Sequence, residues 1–369
     1  MLSILILARE RYGNLRKAFF ALIQIIRTRK KIHGNKFTLK YVHANERYFT
    51  AMNVPGWPSK AFDSFIKNEF NRANNSIHKD HKLHTAFFSI TNRCKFHCEH
   101  CFEWDNISSK EILTLEELKI IQQKLHEQGV CHLEYSGGEP LSRMDALVEL
   151  LSNRKEDVDY WISSSGYEMT PATAQRLKEC GLTGAVISLD HWDEEFHNSF
   201  RKNPKSFFWV REAVNNCRKA NLATVLSICA TREFLTEQNL WKYADLAKSW
   251  GIGLIRILEP RQAGLYKGKD VLLSDSHTKI LEKFFLEINS NKQFSKYPIV
   301  LYPGYHQRKT GCLGAGNRYI YIDSKGDIHA CPFCQEKKGN ALKDNLYDSI
   351  PLLKEAGCHN FNTNHNGLK

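Results

Sequence analysis

HTAFFSITNRCKFHCEHCF, residues 84–102, decides the fold. It opens as an apolar strand, HTAFFSIT (84–91), and runs straight into a loop that holds Cys94, Cys98 and Cys101 within eight positions. Downstream, the helical pattern LTLEELKIIQQKLHEQG (113–129) starts at a capping box, Thr114 with Glu117 three positions on. HLEYSGGEP (132–140) then leads from a strand into a Gly-rich turn, and DYWISSSG (159–166), TGAVISLD (183–190), ATVLSICAT (223–231) and GLIRILEP (253–260) repeat the scheme with helices between them. Strands each followed by a helix predict a parallel sheet with right-handed crossovers. Roughly six such units fit an open or partial (β/α)6 barrel better than a closed eightfold one. The expected fold class is therefore α/β.

Both flanks differ in texture. Beyond about Pro298, RYIYIDSKGDIHAC (318–331) reads as two short strands joined by a Ser-Lys-Gly turn, with cysteines on either side. Upstream, residues 14–29 place Leu15, Phe19, Leu22 and Ile26 at helical spacing and continue into Arg27, Arg29, Lys30 and Lys31, a basic amphipathic helix. KFTLKYV (36–42) alternates like a strand, VPGWPSK (54–60) reads as a turn, and NRANNSIHKDHK (71–82) as a linker. Expected domains are thus a basic extension over 1–82, a barrel over 83–300 and a small C-terminal hairpin domain over 301–369.

The 369 residues are 42% hydrophobic and 25% charged, which excludes wholesale disorder, collagen and a small disulfide scaffold. Lys and Arg number 52 against 40 Asp and Glu. Residues 1–82 hold 16 of the basic and 5 of the acidic residues, a surplus of 11 positive charges. The rest is close to neutral and gives no electrostatic case for nucleic acid. MLSILILA (1–8) is too short for a membrane span and lacks the flanks of a signal peptide. Eleven cysteines without export signals point to the cytoplasm, where thiols serve metals or redox chemistry.

Cys94, Cys98 and Cys101 form a loop able to wrap one metal centre. Three thiolates bind a cubane cluster at three irons and leave the fourth iron open. Zinc is the alternative, but the pairs Cys98–Cys101 and Cys331–Cys334 stand far apart, unlike a zinc ribbon. C-x3-C-x2-C after one strand and GGEP after the next resemble the radical S-adenosylmethionine (radical SAM) superfamily. The resemblance implies a [4Fe–4S] cluster on Cys94, Cys98 and Cys101 whose free iron chelates SAM. Reductive cleavage would then give a 5′-deoxyadenosyl radical that abstracts a substrate hydrogen. It places Gly137, Gly138, Glu139 and Pro140 at the SAM amino group and Ser165, within SSSG, at the ribose. ISLDHWDEEFHNSFR (187–201) is similar to the family's SLDG segment, which puts Ser188, Asp190 and Arg201 at the site. His100 stands where many members carry an aromatic residue near adenine. On the residues alone, Glu139 offers an ammonium acceptor, Asp190 and Ser188 are equally readable as helix caps, and Arg201 as a surface pair.

Cys312, Gly326, Cys331 and Cys334 follow C-x13-G-x4-C-x2-C, with Cys358 further on. This resembles the SPASM/twitch extension of radical SAM enzymes and implies one auxiliary cluster on the four cysteines, of [4Fe–4S] composition, with structural zinc as the competitor. The chain ends 11 residues after Cys358, too soon for a second auxiliary cluster. Cys131, Cys180, Cys217 and Cys229 read as packing thiols. SPASM-bearing relatives imply a peptide or protein side chain as substrate, with a small molecule or membrane lipid as the other choice, and a flavodoxin or ferredoxin as electron donor. A non-catalytic iron–sulfur or zinc regulator is the reading from another class. Residues 1–82 read as a packed extension, a docking module or, through residues 1–33, a peripheral contact with the inner membrane surface. The sequence assigns no catalytic acid or base.

Overall fold

The structure is a computed structural model that describes residues 40–73 and 83–355, Cys358, and scattered positions within 4–27. Its strands are β1 (Val42–Ala44), β2 (Arg47–Phe49), β3 (Thr85–Ser89), β4 (His132–Ser136), β5 (Asp159–Ser164) and β6 (Gly184–Ser188). They continue with β7 (Ala223–Cys229), β8 (Leu254–Leu258), β9 (Ile299–Leu301), β10 (Tyr319–Ile322) and β11 (Ile328–His329). Nine of them form one sheet in the order β11-β10-β3-β4-β5-β6-β7-β8-β9, parallel throughout except for β11. The six expected barrel strands are β3 to β8, adjacent and in sequence order. The α/β partial barrel is the observed fold.

Alternation along each strand sorts the side chains. Ala86, Phe88, Leu133, Tyr135, Tyr160 and Ile162 enter the main core with the helices, while Phe87, Glu134, Ser136, Ser163 and Arg256 face the barrel interior. The helices start where their caps dictate. Thr114 and Glu117 form the capping box of Leu115–Glu127, and Thr170, Thr236 and Ser274 cap three others.

The region upstream of β3 contributes more to the barrel than its composition suggests. Strand β1 begins at Val42, at the end of the expected strand, whose residues 36–39 lie outside the described set. Phe49 and Met52 pack against Trp161, Val186, Val225 and Leu254 and close one end of the barrel. Burial of each side chain contributes about 1.5–3 kcal/mol. Arg47 reaches Asp159 at 2.6 Å and the Gly56 amide donates to the same carboxylate at 3.2 Å. A helix, Lys60–Ala73, fills the unassigned span between the expected turn and the expected linker and takes in the linker's first three residues, 71–73. Its apolar residues, Phe62, Phe65, Ile66 and Phe70, sit at helical spacing, and of the expected linker residues 74–82 lie outside the described set. At the other end, β10 pairs parallel with β3, Ile320 opposite Ala86, so the C-terminal hairpin extends the barrel sheet.

Buried histidines give the fold a pH dependence. His126, on Leu115–Glu127, accepts or donates to Tyr160 Oη at 2.8 Å, and burial pulls its pKa down to about 4. The unfolded value is higher, so the unfolded chain binds the extra proton, and His126's contribution is lost as pH falls from about 6.5 toward 4. Wild type should therefore lose roughly 2–3 kcal/mol relative to His126→Gln between about pH 7 and pH 4.5. Parallel urea titrations of the two proteins check this; an offset independent of pH contradicts it.

Candidate active site

The loop after β3 is held by the loop after β4. The Gly138 amide donates to Thr91 O at 2.9 Å and the Glu139 amide to Arg93 O at 2.8 Å. This contact is close enough to require glycine: a Cβ on Gly138 would lie 2.2 Å from Arg93 O, and one on Gly137, at φ +144°, 2.3 Å from Thr91 O. Gly138→Ala should thus force the two loops apart, lower stability by about 1–3 kcal/mol and abolish SAM binding. Equilibrium dialysis with labelled SAM beside a thermal melt checks both effects; wild-type affinity would contradict the reading.

Glu139 is fully buried and its four lone-pair positions are taken. Oε1 accepts from the Leu141 amide and Ser164 Oγ, and Oε2 from the Ser165 amide and Ser165 Oγ, at 2.5–3.2 Å. Burial raises its pKa, with the serine donors acting the other way. In this conformation Glu139 clamps the GGEP turn to SSSG, and its Pro140 starts a 3-10 turn, Pro140–Arg143. Ser165, Gly137 and Gly138 line the cavity.

Asp190 and Arg201 are not a cap and a surface pair. The cap of helix Glu194–Arg201 is Asp193, whose carboxylate accepts from the Glu195 and Phe196 amides. Asp190 is buried; its Oδ2 accepts from Arg201 Nε at 2.6 Å and its Oδ1 from the Cys229 amide at 3.2 Å. The same guanidinium, also buried, points Nη1 at Cys98 Sγ, 3.4 Å away. Burial opposes the charge on Arg201, but Asp190 and Cys98 together keep it protonated. His197, beneath them, accepts the Asp190 amide proton at Nδ1, so its Nε2 carries the hydrogen toward Ser206 Oγ. Ser188 remains on the cavity wall.

Cys94, Cys98 and Cys101 lie close enough to perturb one another, and burial pushes Cys94 and Cys101 up to about 12. Burial raises Cys98 too, with Arg201 acting against it. Thiols in such surroundings ionise when a cation binds them, which suits a site for iron. Among the described residues no three His, Cys, Asp or Glu side chains close round a single ion. Thiolates on three different irons have no need to do so. His100 packs on Phe200 with ring centroids 4.9 Å apart and planes tilted by 32°, lines the cavity, and has a buried Nδ1 with no hydrogen-bond partner. A planar ring and an unsatisfied ring nitrogen are what a purine would find useful.

The second cysteine set meets across the same cavity. Cys334 is in hydrogen-bond range of both Cys331 and Cys358, and Cys312 of the Cys358 backbone. Cys331 and Cys334 stand opposite each other after β11. All seven cysteines line one cavity of about 1350 Å³. Cys131 and Cys217 are buried away from it, as expected of packing thiols, whereas Cys229 closes the back of the Asp190–Arg201 pair.

Sequence reading missed the charged groups on the cavity wall. Arg256 Nη1 meets both oxygens of Glu134 at 3.0 and 3.3 Å, and its Nε meets Ser227 Oγ at 3.1 Å. Burial acts to raise Glu134, yet Arg256, His132 and Ser163 outweigh it and hold the carboxyl down to about 2. Glu259 gathers Tyr302, Arg308 and Arg261 at 2.6–3.0 Å. The available signal was a lone charge inside an apolar parallel strand, Glu134 in HLEYS and Arg256 in LIRIL.

Residues 88–247 match the family model of the radical SAM superfamily. The chain is 27% identical to a GTP 3′,8-cyclase of Aliarcobacter butzleri, covering 72% of this chain and 86% of that protein. It is also 27% identical to the mycofactocin maturase MftC of Mycolicibacterium smegmatis, covering 71% of this chain and 68% of that one. In fold it is similar to SuiB of Streptococcus suis, solved with the precursor peptide SuiA, at a TM-score of 0.60 and 14% identity, covering 77% and 70% of the two chains. Residues 88–247 are a radical SAM superfamily domain, and the chain is an enzyme of the kind that uses a [4Fe–4S] cluster and SAM.

Proposed function

We propose that this enzyme abstracts a hydrogen atom from a peptide or protein side chain, with a second cluster beside the substrate. The observation that carries this reading is the single cavity onto which both cysteine sets open. Cys94, Cys98 and Cys101 hold the SAM-binding cluster, and Cys312, Cys331, Cys334 and Cys358 hold an auxiliary one. When bound, the first cluster and SAM supply the 5′-deoxyadenosyl radical. The chain supplies the rest. Gly137 and Gly138 bring backbone close to the SAM methionine end, while Glu139 and Ser165 fix that turn. Ser188 and His100 face the nucleoside, and the Asp190–Arg201 pair braces Cys98. Full protein ligation of the auxiliary cluster suits electron transfer or orientation of the substrate. A reduced ferredoxin or flavodoxin is the expected electron donor. The barrel, proposed as residues 83–300, excludes water; residues 301–369 carry the auxiliary ligands.

The cyclase relatives raise a second reading, a nucleoside triphosphate substrate. The wall charges favour the first. Arg201, Arg256, Arg261 and Arg318 each face a carboxylate, at Asp190, Glu134, Glu259 and Glu69 respectively. Paired arginines leave little positive potential for a polyphosphate. Deuterium transfer separates the two readings. Reduced enzyme with SAM should yield deuterated 5′-deoxyadenosine when given short peptides from cells grown in deuterium oxide. Label from ribose-deuterated GTP, with none from peptides, would favour the triphosphate instead.

A further inference from the structure

The radical chemistry leaves the basic charge of the N-terminal region without a role, and two exposed apolar surfaces there lie outside the cavity described above. Leu7 and Ala18 pack with Ile66 and Phe70 of helix Lys60–Ala73, joined by Ile4, Phe62 and Phe65. Ala18 is fully buried, whereas the next two residues, Phe19 and Phe20, are 58% and 60% exposed, and Ile26 is 40% exposed. One side of this helical stretch is therefore docked and the other offers aromatic rings to its surroundings. Arg16 and Arg27 lie on the same stretch, followed in sequence by Arg29, Lys30 and Lys31.

A second patch stands just before helix Lys60–Ala73. Tyr41, Tyr48 and Trp57 are 62%, 41% and 42% exposed, and their rings touch in series with centroids 5.3 and 6.2 Å apart. Tyr and Trp on a surface present an apolar body with a polar tip, the habit of residues at a membrane–water boundary. Among the described residues Trp57 is the only exposed tryptophan.

We propose that the N-terminal region docks this enzyme on an anionic lipid bilayer surface, with Phe19, Phe20 and Ile26 entering the headgroup boundary and Trp57 lying at its edge. Residues 1–31 hold eight basic residues against one acidic residue, a surplus of seven positive charges, which gives the charge complementarity. A peptide would need a concave seat, but none of Phe19, Phe20, Ile26, Tyr41, Tyr48 and Trp57 lines the cavity. Projecting rings beside basic residues match an interfacial helix. Helix Lys60–Ala73 links this face to the interior, since its Phe62, Phe65 and Ile66 line the cavity. Among the described residues no helix is long and apolar enough to cross a membrane.

Vesicle sedimentation with the cluster-reconstituted chain of 369 residues tests the proposal without SAM or reductant, so its outcome is separate from that of the radical reaction. Phosphatidylcholine vesicles carrying about a third phosphatidylglycerol should bind at least ~10-fold more tightly than pure phosphatidylcholine, and binding should weaken with salt. Phe19→Ser/Phe20→Ser should lower that affinity by about 10-fold or more with an unchanged melting midpoint. Brominated acyl chains should quench tryptophan emission in wild type and much less in Trp57→Phe. Equal binding to neutral and anionic vesicles overturns the proposal, as does undiminished binding by the double variant. A labelled oligoglutamate peptide that binds while anionic vesicles do not would assign this face to acidic peptides instead.

Discussion

Replacing Cys94, Cys98 and Cys101 together with Ala should abolish reductive cleavage of SAM and leave about half of the iron of the wild type in place. The effect is expected to be complete because all three thiolate ligands are removed at once. The loop bearing these thiols is fixed on one side by the Thr91 and Arg93 carbonyls and on another by the Glu99 amide, which donates to Phe200 O at 3.1 Å. The retained iron would sit on Cys312, Cys331, Cys334 and Cys358, which come from a different stretch of chain and meet beyond β11. Iron analysis and product chromatography on reconstituted protein check the result. Loss of all iron would mean that the second set holds none, and surviving cleavage would mean that the first set does not hold the reactive cluster.

Arg201→Met should be the most destabilising single change at the site, by about 3–5 kcal/mol. It leaves Asp190 buried, with the Cys229 amide as its remaining donor among the contacts above, and removes the donor to Cys98. Removing both charges costs less than removing one, so Arg201→Met/Asp190→Asn should recover part of the loss. Urea titration of the four proteins gives the coupling directly. The lost N–H···S contact adds a second readout, a shift of the SAM-binding cluster to more negative potential, since hydrogen bonds to sulfur tune that potential. Additive effects of the two substitutions, with an unmoved potential, would reduce Arg201 to ordinary packing.

The barrel strands were legible because each is a short apolar run ended by a turn, and the cap at Thr114 marked its helix to the residue. The cysteine sets were legible as spacing. Harder to read were relations between distant segments. Nothing local to Tyr319–Ile322 shows that it pairs with Thr85–Ser89, more than two hundred positions earlier. The partners of Glu139 are likewise invisible in sequence, and they clamp the GGEP turn to SSSG. Asp190 and Arg201 invited the wrong bland explanations, because a charge in sequence carries no record of its burial. Helix Lys60–Ala73 was missed although its apolar spacing is present, since a Pro-Gly turn and a polar tract on either side obscured it. Glu134 and Arg256 stood out only weakly, yet they set the charge balance of the cavity wall.

The central claim is that this cavity runs SAM-dependent radical chemistry, and quantifying 5′-deoxyadenosine tests it most directly. The 369-residue chain, reconstituted anaerobically and reduced with dithionite, should carry about seven to eight irons and convert SAM to methionine and 5′-deoxyadenosine. Protein that takes up zinc in place of iron, or that holds its irons yet leaves SAM intact under reduction, would contradict the account.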